Sequence, residues 1–148
     1  MIGLRFAQTL RGNYHLLASP TDERAIELEV EAAVAALSGI SKHPRARITG
    51  HLRAAGLAEN ARCEGTLGLE VARERRLPYD VTFVGDDGEG YRLRGQCDVS
   101  VLSLAESLST LSASLYDAAG REMARATLRF DFRSELGKLL RSLRPTLS

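Results

Sequence analysis

The chain has 148 residues, of which 44% are hydrophobic and 26% are charged. This is the composition of an ordinary globular protein rather than of a disordered segment. Its 20 basic and 19 acidic residues leave a formal net charge of +1. So balanced a charge gives no reason to expect nucleic-acid binding, which normally requires a clustered basic face. We expect one domain over residues 1–148.

The chain shows no targeting or membrane-spanning segment. Its N-terminal residues lack a charged head followed by an apolar run, so no signal peptide is predicted. No stretch approaches the roughly 18 apolar residues that span a bilayer. The two cysteines, Cys63 and Cys97, fit a reducing compartment better than a disulfide scaffold. These features predict a cytoplasmic location.

Apolar and polar residues alternate along most of the chain, which is the pattern of half-buried β-strands. The pattern predicts about eight strands with one inward-facing row each. The predicted inward residues are Leu4, Phe6, Leu10, Tyr14, Leu16, Ile26, Leu28, Val30, Ile48, Leu52, Cys63, Leu67, Leu69, Val71, Tyr79, Val81, Phe83, Tyr91, Leu93, Cys97, Val99, Val101, Leu111, Ala113, Leu115, Ala124, Ala126, Leu128, Phe130 and Phe132.

Short connections between these segments favour antiparallel neighbours, because parallel crossovers need a dozen or more residues. Two of them, 86–90 and 117–120, combine aspartate with glycine, as tight hairpins require. The expected fold is therefore all-β. It is an antiparallel meander that closes as a lipocalin-like barrel or packs as a sandwich.

Two short helices are also expected. Residues 32–38 are rich in alanine and end at a glycine, which favours a short helix there, although one long strand is the alternative. Residues 134–143 begin with a serine cap and place four leucines at helical spacing, with Pro145 as the stop. This amphipathic C-terminal helix would plug the barrel, pack on a sheet, or contact a membrane surface or an acidic partner.

Four glycines lie on inward faces, at positions 12, 50, 65 and 95. A glycine inside a strand usually marks a bend, a bulge or a close approach, so these residues are expected to allow sharp coiling of the sheet. The alternative is that their missing side chains leave a cavity for an apolar ligand.

No catalytic or metal-binding constellation stands out, and no cofactor is expected. The cysteines are interpreted as small core residues. Gln8 is polar in an inward row, where it would orient a buried ligand or satisfy a neighbouring group. The candidate ligand-binding residues are Phe6, Gln8, Leu10, Tyr79, Phe83 and Tyr91.

One outward row is acidic, with Glu27, Glu29 and Glu31 on the same face. Arg45, Arg47 and Arg53 follow in the next segment and are expected to oppose it. We interpret the row as a solvated surface with cross-strand pairs. A paired acid/base site is the alternative.

Four short segments together resemble the accessory β-domain of bacterial cholesterol-oxidase-like flavoproteins of the glucose-methanol-choline oxidoreductase family. They are Phe6–Gly12, Ser41–Gly50, Tyr79–Phe83 and Tyr91–Gly95, and the resemblance extends to Phe132. The family pattern has an acidic residue where Gln8 stands and a lysine where Cys97 stands. The resemblance does not carry oxidase activity, because the flavin-binding regions are absent from this sequence.

The resemblance implies a non-enzymatic accessory or carrier domain that binds an apolar, lipid-like or sterol-like molecule. The implied partners are a flavoprotein oxidoreductase or a second copy of the chain. A protein-interaction or regulatory domain with a packed interior is the alternative, and a small enzyme with a site inside the barrel ranks third.

Overall fold

The computed structural model describes residues 2–34, 45–68, 76–98, 110–129 and 144–147. Every regular element in these ranges is a β-strand. The strands are β1 (Ile2–Leu16), β2 (Arg24–Val34), β3 (Arg45–Ala54), β4 (Ala58–Gly68), β5 (Arg76–Val84), β6 (Gly90–Asp98), β7 (Thr110–Tyr116), β8 (Glu122–Arg129) and β9 (Arg144–Leu147).

The first eight strands form a closed antiparallel barrel. Each strand from β1 to β7 pairs with the next one, and β1 also pairs with β8. The predicted meander and its closure as a barrel are thus confirmed, and the sandwich alternative is wrong. The C-terminal part of β1 pairs with both β2 and β8, and its N-terminal part pairs with β9.

The strands are strongly staggered around the barrel. Following registered partners once around, from His15 on β1, leads back to Arg5, ten residues earlier on the same strand. The residues in this circuit are His15, Arg125, Ser114, Arg94, Asp80, Thr66, Arg47, Ala33 and Arg5. An eight-stranded barrel has an interior that side chains fill or that holds one small ligand.

The inward rows agree with the predicted alternation wherever side chains are described. Leu10, Leu28, Leu52, Leu93 and Leu128 are fully buried. Four alanines, which the sequence pattern had not singled out, complete the core from β3 and β4; they are Ala46, Ala54, Ala58 and Ala61. One core therefore fills the described part of the barrel.

The inward glycines are sites of close strand approach rather than of open space. A Cβ atom on Gly65 would lie 1.8 Å from the carbonyl oxygen of Asp80, and one on Gly95 would lie 2.3 Å from that of Ser112. Gly12 and Gly50 meet backbone carbonyl oxygens at 1.8 and 1.9 Å in the same way. The coiling interpretation is therefore correct at these positions, and the neighbouring strand occupies the space where a side chain would stand.

One end of the barrel is formed by four short connections. The two predicted hairpin turns are present, and Gly88 and Gly120 have positive φ angles as such turns require. Gly56, in the β3–β4 turn, has a φ of 83°. The hydroxyl of Tyr14 donates a hydrogen bond to the carbonyl oxygen of Ala55 in this turn, which ties β1 to it. We call this end the turn end.

The opposite end, which we call the loop end, is where β2, β4, β6 and β8 end. The residues that follow these strands, 35–44, 69–75, 99–109 and 130–143, lie outside the described residues. The predicted C-terminal helix at 134–143 falls among them.

The predicted helix at 32–38 is wrong for its first residues. Ala32 and Ala33 lie in β2, where their backbones face Ile48 and Arg47 of β3. They also face β1 on the other side. Sheet pairing on both sides therefore outweighs the helix propensity of alanine. Residues 35–38 lie outside the described part.

Pro145 lies in β9 opposite Leu4. Its predicted role as a helix stop depends on residues 134–143, which lie outside the described part. Proline cannot donate a backbone hydrogen bond, and β9 is the last strand of the sheet order, where proline is tolerated.

We predict that Gly65→Ala and Gly95→Ala each destabilise the fold by about 3 kcal/mol or more, because the added methyl group would collide with a neighbouring backbone. Gly90→Ala is the matched control, since a Cβ there meets nothing within 4 Å. Urea denaturation gives the comparison. If all three variants are equally stable, the close approach at the inward glycines is refuted.

Candidate functional site

The candidate ligand-binding residues lie on β1, β5 and β6. Leu10, Tyr79 and Phe83 are buried, while Gln8 and Tyr91 are half-buried. The side chain of Phe6 lies outside the described part, although its backbone pairs with Ala32. The inward orientation predicted for the described members of the set is therefore correct.

Gln8 and Tyr79 meet across the interior of the barrel. The Tyr79 hydroxyl donates a hydrogen bond of 2.7 Å to Oε1 of Gln8. Their strands, β1 and β5, stand opposite each other, with three strands between them in either direction. This bond therefore spans the lumen, which side chains from both walls fill at this level.

The residues around this bond show where it stands along the barrel. Toward the turn end, the next inward residues are Leu10 on β1 and Val81 on β5, and both are fully buried. Toward the loop end, Ala32 on β2 and Ala46 on β3 are also inward and buried. The polar pair thus borders a packed apolar core.

Phe83 and Tyr91 form a second group near the turn end. Their rings stack with centroids 5.7 Å apart, as directly registered neighbours on β5 and β6. The Tyr91 hydroxyl donates a hydrogen bond to the Asp87 carboxylate. This bond raises the pKa of Tyr91 to about 12 and lowers the pKa of Asp87.

The candidate set therefore does not converge on a single site. Tyr79 and Phe83 are four residues apart on one strand, a separation of about 13 Å at the usual rise per residue. The first of them bonds to Gln8, and the second packs against Tyr91 at the turn end. Sequence periodicity predicts that they share a face but not that they contact different partners.

Cys63 is a core residue, as predicted. It is only 1% exposed, and burial raises the pKa of its thiol to about 11. A thiol that stays protonated at neutral pH is a poor nucleophile. The side chain of Cys97 lies outside the described part.

The acidic row on β2 forms a cross-strand ion-pair ladder on the outer surface. Arg53 contacts Glu27 at 2.6 Å and Glu29 at 3.5 Å, and Arg11 contacts Glu27 from the other side at 2.9 Å. The predicted pairing is thus confirmed for Arg53. Arg11 was not predicted as a partner; the register between β1 and β2 places it directly opposite Glu27.

A groove on the outer surface was not foreseen. It has a volume of about 860 Å³ and runs over the outer faces of β3 to β8, reaching His15 on β1. We call it the arginine groove and define it by Arg45, Arg94, Arg125, Ser112, Ser114 and Thr127, which all line it. Alternation does place these residues outward. Only the register brings them together, since Arg94 and Arg125 face Ser114 from its two sides.

The described residues hold no group of three or more histidine, cysteine, aspartate or glutamate side chains placed to bind a metal ion. No helix within the described ranges is long and apolar enough to cross a membrane. Comparison with protein-family models, curated proteins and solved structures found no match to this chain.

We predict that Tyr79→Phe lowers the free energy of unfolding by about 1 kcal/mol, because the variant leaves Oε1 of Gln8 without its donor. In a double-mutant cycle with Gln8→Leu, the two changes should be non-additive by about 0.5 kcal/mol or more. Urea denaturation of the four proteins measures this coupling. Strict additivity would show that the two side chains do not interact across the lumen.

We also predict that Cys63 resists modification by Ellman's reagent at neutral pH in a Cys97→Ser background and reacts fully in urea. Its burial and raised pKa both suppress the thiolate in the folded state. Rapid modification of the folded protein would contradict the core placement of this thiol.

Proposed function

We propose that the chain is a non-enzymatic β-barrel module that acts through its outer surface, as a protein-interaction or regulatory domain. The observation that carries this proposal is the hydrogen bond between Tyr79 and Gln8. A lumen that side chains bridge from wall to wall offers no room for a large apolar ligand at that level.

Two further features of the interior support the proposal. The inward glycines, the main reason to expect a cavity, have neighbouring backbone atoms where side chains would stand. In addition, the inward residues between the Gln8–Tyr79 bond and the turn end are packed, as the full burial of Leu10, Val81 and Leu93 illustrates. A small barrel filled in this way presents mainly its outer face to other molecules.

The resemblance to the accessory β-domain of cholesterol-oxidase-like flavoproteins supports a particular class of partner. An accessory domain works next to an enzyme, so we propose a flavoprotein oxidoreductase as the partner, with self-association as the alternative. The chemistry would then belong to the partner, and this chain would contribute binding or regulation.

A lipocalin-like carrier is the second candidate. The observation that favours it is the polar pair Gln8 and Tyr79 in the lumen, together with the small inward side chains Ala32 and Ala46 on β2 and β3. An amphiphile would place its polar head on Gln8 and Tyr79 and its apolar part toward the loop end. Apolar pockets commonly orient a ligand through a few such polar groups.

Titration with cis-parinaric acid and a fluorescent sterol separates the two candidates. For the interaction module, we expect no saturable change in probe fluorescence, because the bridged lumen excludes the probe. Size-exclusion chromatography with a purified cholesterol-oxidase-like flavoprotein should in turn show co-elution, with bovine serum albumin as the unrelated control.

Saturable probe binding that Tyr79→Phe weakens would overturn the interaction module in favour of the carrier. Saturable binding that Tyr79→Phe leaves unchanged would instead place the probe on the surface, and the proposal for the lumen would stand. Failure of the flavoprotein to co-elute would remove that partner class.

A further inference from the structure

We propose that the arginine groove binds an acidic segment of a partner protein. This inference rests on the proposed function, because it names the surface through which an interaction module would act. It deepens that proposal with a definite site and a definite chemistry of the partner.

The charges in the groove are predominantly positive. Arg45, Arg94 and Arg125 line it, and Asp80 is the carboxylate among its lining residues. That carboxylate is already bound by Arg92, whose Nε and Nη2 donate to its two oxygens at 2.7 and 3.0 Å. A bidentate pair of this kind satisfies most of the acceptor capacity of an aspartate.

The groove arginines keep much of their binding capacity. Arg94 approaches Asp80 at only 3.9 Å, and its side chain is 60% exposed. Arg125 donates from Nε to Glu122 at 2.9 Å and remains 65% exposed. Arg45 has no ion-pair partner within the described ranges. Exposed guanidinium groups with unused N–H donors can bind the carboxylates of an incoming chain.

The floor of the groove complements these charges. β7 presents the short hydroxyl side chains of Ser112 and Ser114 between the longer side chains of β6 and β8. Across β8, Thr127 adds a further hydroxyl beside Ser112. The Ser114 hydroxyl already donates to Glu122 and offers only its lone pairs. Ser112 and Thr127 can donate to carboxylate oxygens and accept from backbone N–H groups, so an extended peptide finds partners for both along this floor.

A second copy of the chain is a poor occupant. Its exposed acidic row lies on β2, but Glu27 is already held by both Arg11 and Arg53, and Glu29 lies 3.5 Å from Arg53. Docking that row into another groove would require breaking these pairs. The charge pattern therefore favours a different protein that carries unpaired carboxylates.

The test is fluorescence anisotropy with a fluorescein-labelled peptide of ten glutamates at low and at physiological ionic strength. We expect saturable binding that weakens with salt. The double variant Arg94→Gln/Arg125→Gln should weaken it about tenfold, which is the loss of about 1.4 kcal/mol of charge-assisted hydrogen bonding. Asp80 and Glu122 keep Arg92 and Ser114 as partners in this variant, so the fold should persist.

The matched control is Arg11→Gln/Arg53→Gln, which removes the same charge from the ladder beside β2. It should change the affinity for the peptide by less than about twofold, since Glu27 and Glu29 beside those arginines balance their charge and repel an acidic chain. Equal weakening by both double variants would overturn the proposal, because binding would then follow net charge alone. Absence of binding at low salt would also overturn it.

A single-stranded oligonucleotide of ten thymidines serves as the phosphate-bearing probe. If it binds more tightly than the peptide and loses affinity in the groove variant, the partner is a nucleic acid and the proposal for an acidic protein fails. None of these outcomes depends on the lumen. If the groove does not bind the peptide, the probe titrations still test the interaction module independently.

Discussion

The barrel depends on the double pairing of β1. Its backbone bonds to β2 along one edge and to β8 along the other, so the meander closes and eight strands share one interior. Closure removes the exposed strand edges that an open sheet of these strands would present. It also brings residues from distant parts of the sequence face to face, as Gln8 and Tyr79 show at a separation of 71 positions.

The stagger of the strands and the inward glycines decide what that interior contains. Strong coiling brings neighbouring backbones close at Gly65 and Gly95, where any side chain would collide with a carbonyl oxygen. The glycines thus serve the curvature of the wall. This is the physical reason for seeking function on the outer surface, where the arginine groove combines exposed cations with short hydroxyl side chains.

Candidate-site residues were predictable only one at a time. Alternation placed Gln8, Tyr79 and Phe83 inward, but their partners depended on which strands stand opposite each other. Alternation identified Arg94 and Arg125 only as outward residues. The strand register places both beside Ser114. Alanine-rich residues 32 and 33 were misassigned because local propensity favours helix, while pairing with two neighbouring strands decides the structure.

The sequence by itself determined the class of the fold, the inward faces of the barrel strands β1 to β8 and two of the tight turns. These properties are local, since they depend on side-chain alternation and on aspartate–glycine turns within a few residues. Only the tertiary structure decided that the sheet closes, that Tyr79 bridges to Gln8 and that the inward glycines leave no cavity. Each of these depends on the stagger between strands, which local alternation does not specify, because the same two-residue period fits several registers.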